Sequence, residues 1–569
     1  MNPETLVAEV YVCAPTELTG SVKCFREITR PEETLKKQYN PTGLRYWMLR
    51  VLEECGKAAV DFQPDPVHDL RVSLRRCRSL ADGMIAMDPD RDWKSMKKAG
   101  KKLFQSLGAL RDVQIMMEWI EKLNDVHVAR MPSSALSKQA DSGSAAAGHQ
   151  LDPALRALIQ VLKAGETEHK RQARAALDEF DRKQWQNWSR TLPQRAARIR
   201  PGSAVFKHLA LERWTAAREL HTRAMRTRSQ VALHTLRIGI KRFRYIVENF
   251  LPQEHMLWGN DLKHMQDLLG EVHDLDVLWE TARQAQVFPD ESSRTAWQQR
   301  IQQERSKRLE EYRQKTNGKE SLWTLWRDGL PKGKQIQQIA TARLRLWAKA
   351  LDPDFAHSQR VAKLALQLHD ALDANGLLGK FRSTESDTAP TDSRASLYLA
   401  ALLHDIGKAQ GNSEHHKHSL ELIKAHRAPL GVKPEVMQRA AVIARFHCGA
   451  LPTRNHKLMR DLLSDEQRTV IRLSAILRLA NALDAAHDGQ VRRLRLERAD
   501  AKRRSNGFLR KPPALQKHEP LLMLAEGYVD GSPTARSVAA ERYLLETLLR
   551  RPVIVRAGPI SRVAHAATH

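Results

Sequence analysis

Six histidines and two aspartates in the second half of the chain stand in an order that suits metal chemistry. His357 lies in PDFAHSQRVAKLALQLHDAL (353–372), and His404 and Asp405 are adjacent in ALLHDIGK (401–408). His415, His416 and His418 follow in NSEHHKHSLELI (412–423), His447 in VIARFHCGALP (442–452), and Asp484 in ILRLANALDAAHDG (476–489). Imidazole nitrogen and carboxylate oxygen together bind a borderline-to-hard divalent ion, so Mn, Fe, Co or Mg is expected ahead of a thiolate-bound zinc. Such an ion lowers the pKa of its bound water and polarises a phosphoryl oxygen. Lys408, three residues past the His-Asp pair, can neutralise phosphate charge or protonate a leaving oxygen. A His-Asp pair alone is weak evidence, since His369-Asp370 and His487-Asp488 are two more. His369-Asp370 lacks the following Ile-Gly-Lys and is read as a helix surface feature.

The first half carries chemistry of another kind. VHDLRVSLRRCRSL (67–80) repeats as LHTLRIGIKRFRYI (233–246). From His68, Arg71, Arg75, Arg76 and Arg78 stand at +3, +7, +8 and +10; from His234, Arg237, Lys241, Arg242 and Arg244 stand at the same offsets. At about 100° per residue, +3, +7 and +10 return to the face of the starting histidine, a cationic stripe about 15 Å long. Like charges in a line repel, and a polyanion lying along them removes the cost; arginine offers phosphate oxygens a planar two-pronged contact. Both repeats continue downstream as L-G-x-x-x-D, in LGALRDVQIM (107–116) and LGEVHDLDVL (269–278).

Helices must position nearly all of these residues. The 569 residues are low in glycine (27) and proline (25), and helical periodicity holds from Leu44 onward. Residues 1–40 form an unassigned N-terminal extension. The small polar stretch 131–153 reads as a flexible connection, and 381–393 as a second loop. Asn317-Gly318 ends a long charged helix that starts near Ser292, and Asn375-Gly376 closes another. A domain boundary is expected near 320. Beyond Asp488-Gly489, VRRLRLERA, PLLMLAEGYV and PVIVRA read as strands, with a helix over 535–550 before the last.

Composition narrows the classes. Lys+Arg 93 against Asp+Glu 66 gives +27, which favours a polyanionic partner. Five scattered cysteines without a C-x-x-C pair argue against a disulfide scaffold or a cysteine-rich zinc site. No apolar run approaches the roughly 18 residues of a membrane span, and the start lacks a secretory pattern, so a cytoplasmic protein without a membrane partner is expected. Without an aromatic-rich basic surface, nucleic acid is not the expected partner.

The duplicated His–Arg stripe resembles the CHAD domain, the conserved histidine α-helical domain. The resemblance covers about 41–318 and implies a duplicated helical bundle whose basic channel binds inorganic polyphosphate. It implies roles there for His68, Arg71, Arg75, Arg76 and Arg78, and for His234, Arg237, Lys241, Arg242 and Arg244. Lys97, Lys98, Lys101, Lys102 and Lys263 are further candidates. ALLHDIGK, HHKHSLELI, ARFH and ILRLANALD resemble the HD-type metal-dependent phosphohydrolases, and within them the C-terminal region of the exopolyphosphatase/guanosine-pentaphosphate phosphatase family. That resemblance implies an HD-type helical domain over 325–500 with a small α+β tail over 501–569. It implies His357, His404, Asp405 and Asp484 as ligands of a first metal. His418 and His447 would complete a second metal or hold substrate phosphate, and Lys408 and Asp405 would be catalytic. His415 and His416 stay open. The glycine-rich phosphate loop of the actin-like half of exopolyphosphatases is not found, so hydrolysis is expected at the HD site.

The expected fold is therefore mainly α: a CHAD-like duplicated bundle, an HD-type helical domain and an α+β tail. The expected function is polyphosphate binding joined to hydrolysis of polyphosphate or a phosphorylated nucleotide, at polyphosphate granules or free. The alternative is a non-catalytic polyphosphate-binding scaffold or nucleotide sensor.

Overall fold

A computed structural model describes residues 43–129, 153–378, 389–498 and 519–559. The extension 1–40, residues 131–152 of the expected connection, residues 381–388 of the second loop and residues 501–518 of the tail lie outside it.

Apolar residues at helical spacing generate the first half. Val67, Leu70, Leu74, Cys77, Ala81 and Met84 are all buried, and the arginines between them occupy the other side of one helix. In chain order the helices are α1 (Leu44–Asp61), α2 (Pro64–Ile85), α3 (Arg91–Ala129), α4 (Pro153–Asp178), α5 (Arg182–Ala196), α6 (Ala204–Thr227), α7 (Gln230–Phe250), α8 (Pro252–Gln284) and α9 (Glu291–Thr316). Local signals set their starts. Asp181, Ser229 and Asp290 each accept a bond from a backbone N–H of the following first turn, and Pro64 and Pro252 stand at first helical positions. Each of α2, α3 and α4 packs on its predecessor, as do α7, α8 and α9, and α2 meets α7 between the two sets. The repeat in sequence is thus a repeat in space.

The long charged helix ends where the sequence placed its end, with Gly318 at φ +84°. Packing of the first half nevertheless continues past it. Helix α10 (Leu322–Asp328) contributes Trp323 and Trp326 to the same core as Phe243 and Trp258, with Trp326 5.7 Å from the Phe243 ring. Two tryptophans that would be costly to expose hold this helix on the bundle across the expected boundary.

The second half is helical too: α11 (Lys334–Leu351), α12 (Phe355–Ala374), α13 (Ala389–Leu403), a 3₁₀ turn (Ile406–Gln410), α14 (His415–Ala425), α15 (Pro434–Arg445), α16 (Lys457–Arg460) and α17 (Ser464–Ala482). It has its own core, from Leu344 to Val555. The tail is β1 (Arg493–Arg498), β2 (Leu521–Glu526), α18 (Pro533–Glu541), α19 (Tyr543–Leu549) and β3 (Val553–Gly558). Strand β2 is central, antiparallel to β1 and parallel to β3, with α18 and α19 as the crossover. The single helix expected over 535–550 is two, joined at Arg542. The fold is mainly α with a small α+β tail. Among the described residues no helix is long and apolar enough to cross a membrane.

The halves meet along α6 and α11, where Ile336, Ile339, Ala342 and Leu346 pack on the first half's core around a set of polar groups. His208 donates from Nε2 to Leu430 O (2.8 Å), so its Nδ1 is left to accept from Arg343 (2.8 Å). Glu212 accepts from Leu430 N (2.9 Å) and pairs with Arg343 (2.7 Å).

Trp326 is fully buried. Trp326→Ala should cost about 3–5 kcal/mol, read as a lower denaturant midpoint for the first half, as a helix belonging to that core requires.

Candidate functional site

Asp405 is the centre of the second half's polar cluster. It follows α13 and is 2 % exposed. The turn after it is held by Ser419 of α14, which accepts from Gly407 N (2.9 Å) and donates to His404 O (2.6 Å). A Cβ at Gly407 would stand 2.0 Å from His415 O, so only glycine lets the two segments meet. That contact brings the start of α14, and His415 with it, onto the His-Asp turn. Behind α15, the buried Arg478 donates to Phe446 O (3.0 Å) and Gly449 O (3.3 Å) and pairs with Glu541 of α18 (2.6 Å), fixing the loop that carries His447.

Four imidazoles turn Nε2 toward Asp405. His404 and His447 stand 3.4 Å from Oδ2 and 3.6 Å from Oδ1, His415 3.4 Å from Oδ1, and His357 4.0 Å from Oδ2. Their Nδ1 atoms are occupied. His404 donates to Ala401 O (2.8 Å), His447 to Ala444 O (2.7 Å) and His415 to Asn412 O (3.0 Å), while His357 bonds Asp484 Oδ2 (2.7 Å). A carbonyl only accepts, so Nδ1 carries the hydrogen and a neutral ring keeps a bare Nε2. Burial pushes the His404 and His447 pKa values down, against the pull of Asp405, which favours the neutral rings. Burial alone would raise the Asp405 carboxyl, yet it is held below the usual carboxylate range, and with the rings neutral the Lys408 ammonium (2.6 Å) is the cation that does so. Bare nitrogens of His404, His415 and His447 and a carboxylate thus converge, with His415 and His447 Nε2 only 3.0 Å apart and His404 Nε2 buried without a partner, while His357 Nε2 lies 2.9 Å from Asn481 Oδ1. Lone pairs brought together in this way repel unless a cation lies among them. The donor set therefore fits a divalent metal, with each ring oriented from behind through Nδ1. His357, His404 and Asp405 form one candidate group; His415, His447 and Cys448 form a second.

The expected ligands distribute unevenly. His357, His404, Asp405 and His447 come together. Asp484 stands behind His357, where it also accepts from Arg360 Nε (2.9 Å) and Gly489 N (3.1 Å). His418 makes none of the contacts that His415 makes; it lies a turn further along α14, half-buried, with Nδ1 unpartnered. His415, one of three histidines that spacing alone does not separate, joins the cluster, as does Cys448, and His487 lies against it. His487 stacks on His357 at 3.9 Å and bonds Asp354 (2.7 Å). His369 is buried, so it is not the surface residue expected; Asp370 faces Arg394 (2.8 Å).

In the first half, α2 and α7 bring the two cationic stripes together. Burial, then the charges of Arg75, Arg237, Arg71 and Arg78, push the Lys241 ammonium down to about 7. Arg71 falls to about 10 through burial, opposed by Asp112 and reinforced by Arg75, Arg111 and Arg237. Among the described residues no ion pair within 4 Å engages Arg71, Arg75, Arg78, Arg237 or Lys241. Arg71 Nη1, Arg75 Nε, Arg78 Nε and His234 Nδ1 are buried without hydrogen-bond partners. Arg71 and Arg78 lie over the Phe104 ring at 5.0 and 4.7 Å. Buried donors lacking acceptors are the counterpart of an anion.

The other stripe residues do different work. Arg76 and Arg244 pair with Glu248, Arg76 also lying over Trp47. Arg242 lines a pocket with Arg213, Lys97 and Asp82. Lys97 pairs with Asp82, Lys102 with Glu179, and Lys101, Lys263 and His68 are exposed. The downstream repeat acquires a role the sequence did not reveal. A Cβ at Gly108 would stand 2.9 Å from Arg71 Nη1, so that glycine makes room for its repeat's arginine, whereas one at Gly270 would stand 3.8 Å from Arg237 Nε, in ordinary contact. Asp112 and Asp274 follow four residues later. Burial raises both carboxyls, Asp274 to about 6, and the arginines oppose it.

Residues 48–283 match the family model of the CHAD domain, and residues 341–524 match that of the Ppx/GppA phosphatase, domain III. The chain joins a CHAD domain to a Ppx/GppA domain III. No curated protein matches it. The CHAD domain holds the cationic cluster and domain III the histidine cluster, and together they support a polyphosphate-related function as phosphatase or binder.

The CHAD cluster is in tension with its own charge. Lys241 drops from the ordinary 10.5 to about 7 on folding. Below pH 7 it is charged in both states and the penalty is complete; above 10.5 it is neutral in both and the penalty vanishes. The ligand-free protein should therefore gain stability from this group as pH rises between those values. Lys241→Met should raise the thermal midpoint at pH 6 more than at pH 9.

Proposed function

We propose that the chain binds inorganic polyphosphate in its CHAD domain and carries an HD-type metal-dependent phosphohydrolase in its second half, acting on polyphosphate or a phosphorylated nucleotide. The catalytic region would run over 325–500, with the strand–helix–strand tail as its support. The observation that carries the reading is the convergence of bare imidazole nitrogens on the Asp405 carboxylate.

His357, His404 and Asp405 would hold one divalent ion and His415 and His447 would help hold another, with Asp484 orienting His357. Such an ion supplies an activated water and polarises a phosphoryl oxygen. Lys408, whose ammonium bonds the Asp405 carboxylate, stands where it can neutralise a phosphoryl oxygen or give a proton to the leaving oxygen. Arg71, Arg75, Arg78, Arg237 and Lys241 supply the missing acceptors' counterpart: donors for a chain of phosphates, with His68, His234, Arg242, Lys101, Lys102 and Lys263 at its edges. Binding relieves the repulsion that Lys241 records. Arg76 and Arg244, tied to Glu248, support the helices.

Manganese-loaded protein is incubated with long-chain polyphosphate, and phosphate release and chain length are followed. Asp405→Ala should lower release by about a hundredfold or more while leaving binding intact. Arg75→Gln and Arg237→Gln should weaken binding and make its salt dependence shallower by about 0.7 in logarithmic slope per lost contact. Tight binding with no release from polyphosphate or nucleotides would leave a scaffold or granule tether in place of the enzyme.

A further inference from the structure

Asp405 has two oxygens and two sets of neighbours. Oδ2 faces His404 (3.4 Å), His357 (4.0 Å) and Lys408 (2.6 Å). Oδ1 faces His415 (3.4 Å) and His447 (3.6 Å). Beside the latter pair lies a thiol: Cys448 Sγ is 3.8 Å from His415 Nε2, and the donor atoms of His415, His447 and Cys448 all lie within 4.8 Å of one another. Around a tetrahedral ion with nitrogen and oxygen at about 2.0–2.2 Å and thiolate sulfur at about 2.3 Å, neighbouring donors stand about 3.3–3.6 Å apart. The separations from His415 Nε2 to His447 Nε2 (3.0 Å), to Asp405 Oδ1 (3.4 Å) and to Cys448 Sγ (3.8 Å) are of that size.

We propose that Cys448 is a thiolate ligand, and that Cys448, His415, His447 and Asp405 Oδ1 hold a borderline-to-soft divalent ion, zinc by preference, next to a harder site at His357, His404 and Asp405 Oδ2. This deepens the reading above and rests on it for the presence of metal, not for hydrolysis. A carboxylate and two imidazoles alone would accept manganese, iron or cobalt nearly as readily; one sulfur shifts the preference. His416 lies behind the thiolate, with Nδ1 3.6 Å from Sγ, where an N–H can steady sulfur charge. The two sites share one carboxylate yet differ in donor type, so they differ in preferred metal.

Full-length protein is stripped with a chelator and titrated with Co²⁺, and the thiolate-to-cobalt charge-transfer absorption in the near ultraviolet is followed together with bound metal. Wild type should bind two ions and show the band. Cys448→Ser and Cys448→Ala should lose the band, keep one ion, and weaken zinc relative to manganese by at least about tenfold. His404→Ala should keep the band. With Cys13 and Cys24 replaced by serine throughout, and Cys55 and Cys77 buried in the other half, a band that survived Cys448→Ser would come from elsewhere and overturn the assignment. Two ions bound by wild type without a band would overturn it too. A band and two ions with no phosphate released from any substrate would uphold this site and remove the hydrolase; metal-dependent turnover without the band would do the reverse.

Discussion

The buried Asp405 carboxylate decides how the second half is built. A charge taken out of water must be met by partners of the right kind, and here five residues from four segments supply them: His357 on α12, His404 and Lys408 in the stretch that carries Asp405 itself, His415 at the start of α14 and His447 after α15. Each segment is held by a contact that does not itself touch Asp405. Ser419 clamps α14 to the turn, Arg478 ties the His447 loop to α18, and Asp484 and Arg360 brace His357. The tail therefore belongs to the site through Glu541, although among the described residues no tail side chain contacts the carboxylate.

The CHAD domain shows the opposite imbalance. Domain III gathers lone pairs; the CHAD domain gathers cations. Arg71, Arg75, Arg78, Arg237 and Lys241 come from two helices and are kept close by packing between α2 and α7, not by counter-ions. Asp112 and Asp274 are the nearest compensation, and burial weakens them as charges. Phe104 offers its ring face to two of the guanidiniums, a partial substitute for water. Stability spent on holding like charges together is returned when an anion arrives.

Between the halves, a polar set sits within an apolar seam, where Ile336, Ile339, Ala342, Leu346 and Leu430 pack on the first half's core. His208, Glu212, Arg343 and both backbone groups of Leu430 bond one another, with Arg343 Nε left buried and unpartnered. Such a set tolerates little sliding, since a shift of either half would strand buried donors and acceptors. Arg213, beside Glu212 on α6, faces the pocket lined by Arg242 and Lys97, so the seam and the cationic face share a helix.

By itself the sequence determined the helical class, the internal repeat, the two stripes and the order of metal-type residues. Those features depend on spacing along one helix or on residue type, and spacing is local. The strand assignments of the tail and the helix end at Gly318 were legible for the same reason. Only the tertiary structure decided what meets across elements. It brought His415, not His418, toward Asp405, since the face of α14 that Ser419 and Gly407 seat on the His-Asp turn is the one that carries positions 415 and 419. It moved Asp484 behind His357 and brought Cys448 beside His415, contacts between residues 127 and 33 positions apart. It set Arg76 and Arg244 on Glu248 and left their neighbours free, although all are spaced alike in the repeat. It also drew α10 across the expected boundary, because two tryptophans find their apolar surroundings on the far side of a turn. Charge and periodicity are written along the chain; which bare nitrogen faces which carboxylate is fixed only when packing closes the distance.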